Sequence, residues 1–78
     1  MYDKQLEIVQ AILMEFAEHT PDAYSYISNE AKAAATGLEY YGMLRRATRE
    51  ALDNGLIHKE LQSRVKAMDD AIHCMYTS

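Results

Sequence analysis

Tryptophan is absent from this chain of 78 residues, proline, phenylalanine and cysteine each occur once, and glycine occurs three times. Each scarcity excludes something. A lone cysteine, Cys74, leaves no internal disulfide, and a single thiol suits a reducing compartment. With proline and glycine so rare and no stretch alternating apolar and polar residues, strands and the tight turns that join them are not expected. The longest unbroken apolar run, Ala11 to Met14, is far too short for a membrane span. The opening MYDKQLEIVQAILMEF carries Asp3, Glu7 and Glu15 where a secretory signal carries only bases, so a cytosolic protein is expected. No glycine-rich phosphate loop or serine elbow occurs, and so short a chain has difficulty enclosing a substrate pocket while keeping a core. Neither catalysis nor a cofactor is expected.

What is present is acidic and helical. Net charge is −4, and it is uneven: residues 1–30 hold Asp3, Glu7, Glu15, Glu18, Asp22 and Glu30 against Lys4 alone. The remaining chain is near neutral. An acidic first third is repelled by phosphate and attracted to basic protein surfaces. One domain of this size is only marginally stable, and self-association is the simplest source of further burial.

The periodicity predicts a small all-α antiparallel bundle of four helices over roughly 3–19, 21–36, 38–54 and 58–76, a single domain spanning 1–78. The first starts after Asp3 and carries Leu6, Val9, Leu13 and Phe16 on one face, widened by Ile8 and Ile12. Thr20-Pro21-Asp22 marks the next start, with Thr20 as N-cap and Pro21 at the first helical position. The second helix extends through the alanine-rich AKAAAT to Thr36, and Thr36 with Glu39 forms a capping box for the third. Asn54-Gly55 stops that helix, with Leu56 folding back. The expected core is Leu6, Val9, Leu13, Phe16, Ile27, Ala31, Leu44, Ala47, Leu61, Val65, Met68 and Ile72.

Two candidate chemistries reside in this pattern. Glu30 to Gly37, EAKAAATG, places Ala33 four residues before Gly37, and the following GLEYYGMLRRATREALDNGLI resembles in part the second half of a helix-turn-helix regulator. The resemblance, over residues 29–57, implies a first helix Asn29 to Thr36. It also implies a recognition helix offering Tyr40, Tyr41, Arg45, Arg46 and Arg49 to DNA. Lys32 stands where the motif buries an aliphatic residue, and Glu39, Glu50 and Asp53 cancel the three arginines. DNA binding is therefore the alternative. Metal binding finds only half-sites, Glu15 with His19 and Asp70 with His73.

The leading expectation is a helical interaction protein that regulates or inhibits a larger partner by occupying its surface. Six tyrosines and five methionines in so small a chain favour a protein-binding surface. Tyr24, Tyr26, Tyr40 and Tyr41 are its candidate aromatic residues, and Glu7, Glu15, Glu18 and Asp22 its acidic face for a basic partner. The seam Leu61, Val65, Met68, Ile72, Met75 exceeds what the alanine-rich second helix can cover, which predicts a homodimer across it.

Overall fold

The apolar spacing of the first segment is realised as helix α1, Asp3–His19, whose buried line is Val9, Ile12 and Phe16. The computed structural model describes residues 3–77, so whatever precedes Asp3 to cap α1 lies outside the described residues. Helix α2, Pro21–Ala31, follows after the single residue Thr20, helix α3 spans Gly37–Asp53, and helix α4 spans Ser63–Thr77. A 3-10 turn, Lys59–Leu61, leads into α4. Among the described residues there is no strand, and no helix is long and apolar enough to cross a membrane. The architecture is an all-α bundle.

Side-chain bonds between helices fix their directions. Gln5 meets Cys74 and Arg64 meets Glu15, so α1 and α4 run antiparallel. Tyr76 reaches Leu38 and Arg45 reaches Asp69, so α3 and α4 do the same. Tyr26 bonds Glu50 while Thr20 bonds the Leu56 carbonyl, which sets α2 antiparallel to α3. Each helix therefore reverses the one before it, with the fully buried Phe16, Ile27, Leu44, Met68 and Ile72 at the centre.

Three sequence expectations are corrected here. Helix α2 ends at Ala31, not Thr36, and residues 32–36 form turns and a link. Alanine has high helix propensity, but beyond Ala31 it offers almost no area to bury, so nothing holds the further turns against the need to bring Thr36 to the start of α3. Thr36 is extended (φ −133°, ψ 163°) and its hydroxyl accepts the Glu39 amide, the capping geometry expected of it. Second, Leu6 and Leu13 are only half-buried, and Ile12 occupies the core in their stead, because the buried line of α1 runs through 9, 12 and 16. Third, Leu61, Val65, Met68 and Ile72 are all buried within the one chain. Four residues of the seam expected to meet a second copy thus share the core with Ile12, Phe16 and Leu44, while the fifth, Met75, is half-buried.

The α3 stop is a Schellman turn. The amides of Gly55 and Leu56 bond the carbonyls of Leu52 and Ala51, and Gly55 takes φ 73°, a left-handed conformation that a Cβ would strain. Leu56 and Ile57 then fold back onto the core, Ile57 becoming buried although no helical periodicity marks it.

Candidate functional site

Antiparallel packing gives the bundle two ends of different character. At one, α1 and α2 join and the loop from α3 enters α4. Thr20 is buried there, and its hydroxyl donates to the Leu56 carbonyl (2.6 Å) and accepts from the His58 amide (3.2 Å). The sequence assigns that hydroxyl to capping α2, but it makes no cap bond, because it is taken up by two backbone groups of the loop after α3, while water can serve the helix start. Beside it lies a cleft of about 300 Å3 lined by Glu15, His19, His58, Glu60 and Leu61. The cleft adds His58 and Glu60 to the Glu15–His19 pair, yet among the described residues no three such side chains stand close enough to hold a metal ion.

The opposite end, where α1 and α3 begin and α4 finishes, is apolar. Leu6, Gly37, Leu38, Tyr41, Met75 and Tyr76 line a groove of about 300 Å3. Leu38 is 65% exposed at its edge. The Tyr76 hydroxyl donates to the Leu38 carbonyl (2.6 Å), lying over Gly42, where a Cβ would stand only 2.8 Å from the phenol oxygen. Tyr41 continues the groove into an edge-to-face contact with Tyr40, the ring centroids 5.2 Å apart at 82°. Burial raises the Tyr40 pKa, and the neighbouring phenols of Tyr41 and Tyr24 raise it further. Tyr40 and Tyr41 thus pair, whereas Tyr24 stands at the start of α2, towards the Thr20 end, and Tyr26 does not join them. It donates to Glu50 (3.0 Å), a bond that holds its own pKa above the usual tyrosine value, with burial and the Glu50 charge adding to it.

The acidic candidates do not make a single patch. Glu7 and Glu18 share the outer line of α1, about 16 Å apart at a rise of ~1.5 Å per residue, with the exposed Met14 between them. Glu15 is turned towards α4 and held by Arg64 at 3.0 Å, and Asp22 lies exposed in the first turn of α2. The DNA-reading set is dispersed as well. Asn29 to Thr36 is helical only as far as Ala31, so the motif's first helix is not formed. Arg45 is bonded to Asp69, which raises the arginine pKa and, through the same bond, lowers that of the carboxyl. Arg49 adds to that lowering from nearby, while Arg46 is exposed on the side of Tyr26. Tyr40 and Tyr41 pack on each other.

Of the groove's residues, sequence reasoning places Leu6 in the core and Met75 in the α4 seam, and misses Leu38 and Tyr76. Leu38 carries a weak signal, a leucine directly after a helix-capping threonine and a glycine, but nothing local links residue 6 or 38 to residues 75 and 76. The chain matches no family model, and neither curated proteins nor solved structures show a significant similarity to it.

Proposed function

We propose that this protein is a small cytosolic interaction module that docks on a larger protein and regulates or inhibits it by occupying its surface, using the apolar end of the bundle. One observation carries this reading: Leu38 is 65% exposed at the edge of a groove floored by leucine, methionine and tyrosine. The remaining large apolar residues of the core are covered by the chain itself. Large exposed leucines beside an apolar groove gain free energy when a partner covers them. Tyr40 and Tyr41 extend the same surface with rings whose hydroxyls tolerate water.

A photo-reactive residue placed at position 38 tests this in the native cell, with position 14 as a control because Met14 is 71% exposed on the outer line of α1. Position 38 is expected to give a discrete adduct that weakens when Tyr41→Ala is added, and position 14 is not. The same adduct pattern from both positions would refute the docking end.

A further inference from the structure

We infer that Tyr76 is a latch that sets the width of the apolar groove: seated on Gly42 it closes one wall, and swung out it opens that wall without unfolding the bundle. The latch is a property of the chain alone, so it stands or falls independently of the docking proposed above.

The seat fits the phenol. Gly42 lies inside α3, and Gly55 is the one described glycine at positive φ, so the backbone at 42 does not require glycine. A glycine in a helix interior is destabilising relative to alanine. What uses the missing side chain is Tyr76, whose hydroxyl oxygen stands 2.8 Å from where a Cβ would be. At Gly37, also in α3, the same position has nothing within 4 Å, so the fit is particular to residue 42.

The segment that carries the latch buries little. The last buried residue of α4 is Ile72, and of the residues after it as far as Thr77 only Met75 is even half-buried. Over this stretch Tyr76 reaches α3, and Gln5 of α1 reaches Cys74 at 3.5 Å. Opening strands no polar group. The Leu38 carbonyl keeps its helical partner, the amide four residues on, when the phenol leaves. The bond to Tyr76 lies at the surface, where water replaces it. One such hydrogen bond shifts a local equilibrium by about fivefold, enough to favour the seated state and weak enough to leave the open one populated. Opening widens the groove beside Met75 and bares the backbone at Gly42.

Proton NMR of the full chain tests the latch, with a soluble gadolinium chelate as the probe of methyl exposure. The wild type is expected to show cross-relaxation between the Tyr76 ring and the Gly42 Hα. Gly42→Ala fills the seat against the far end of a flexible side chain. The fold should therefore survive while that contact is lost and the chelate relaxes the Met75 methyl about twofold faster or more. Tyr76→Phe keeps the ring and removes the bond, so its Met75 response should fall between the two. Gly37→Ala makes the same change in open space and should alter neither signal. Alanine at 42 should also raise the melting temperature more in a Tyr76→Ala background than in the wild type, because only there is helix propensity gained without unseating the phenol. A Tyr76 ring that stays on residue 42 in Gly42→Ala, an equal Met75 response from Gly37→Ala, or an equal rise in melting temperature in both backgrounds overturns the latch. So does a Gly42→Ala chain that no longer folds, because Tyr76 is then part of the core and not a movable wall. If the Met75 response appears but the position-38 adduct does not form, the latch holds and the docking end falls. The opposite pair of results removes the latch and leaves the docking end.

Discussion

The end of the bundle where α1 meets α2 is closed by hydrogen bonds, whereas the end where α3 begins is closed by apolar side chains. At the first, Thr20 ties down Leu56 and His58, Gly55 turns the chain, and Arg64 spans to Glu15. At the second, Tyr76 bonds the Leu38 carbonyl and Gln5 bonds Cys74, beside an open apolar groove. Directional bonds specify a geometry and are complete once made. Apolar surface left open still gains about 25 cal/mol per Å2 when covered. The difference is that one end of this short bundle has its polar groups paired while the other leaves apolar surface open, which is the physical basis of the proposed docking end.

Both ends depend on the core between them, so the largest effect should come from breaking what they share. Val65→Lys places an unpaired ammonium in the centre and is expected to cost about 4 kcal/mol or more, abolishing the helical circular-dichroism signal. A variant that stays folded and merely changes its oligomeric state would show that the seam is an outer face after all. Thr20→Val strikes the hydrogen-bonded end alone. It strands the Leu56 carbonyl and the His58 amide and should lower stability by about 2 kcal/mol in a denaturant melt.

A smaller effect lies between the ends, at the Arg45–Asp69 pair that joins α3 to α4. Both side chains are about a third exposed, so solvent screening holds the cost of Asp69→Asn to about 1 kcal/mol or less. Because the folded-state carboxyl titrates below its ordinary value, its contribution is complete above the usual aspartate range and is lost as the pH falls through the lowered native pKa. Wild type and variant should therefore differ at neutral pH and converge in acid. The smallest stability change belongs to the apolar end: Leu38→Ser should alter the melt by no more than about 0.5 kcal/mol while weakening the partner complex. A large loss of stability there would mean that the exposed leucine serves the fold rather than a partner.

Much of the fold could be read from local signals, and the failures have specific causes. Pro21, Thr36 and Gly55 each act on the next few residues, and all three mark helix boundaries where expected. The alanines at 33–35 promised continued helix, but propensity is a weak term when no buried area supports it, and the chain left the helix at Ala31. Thr20 was read as a local cap, yet its hydroxyl serves Leu56 and His58. Of the candidate aromatic surface, Tyr40 and Tyr41 pack on each other, Tyr24 stands at the start of α2, and Tyr26 bonds Glu50. The groove itself escaped notice because Leu6 and Tyr76 lie near opposite termini and no spacing rule connects them.

The amino-acid sequence by itself determined that the chain forms helices, where three of their boundaries fall, that its first third is acidic and that no helix among the described residues is long and apolar enough to cross a membrane. These properties depend on backbone preference, capping and hydrophobic period, which act over one helical turn or along one helix face. Only the tertiary structure decided which helices cover the α4 seam, where α2 stops, how Thr20 is used and which side chains surround Leu38. Those outcomes depend on area removed from water between segments as far apart as Gln5 and Cys74, and burial is set by whichever segment packs alongside, not by the neighbours in the chain.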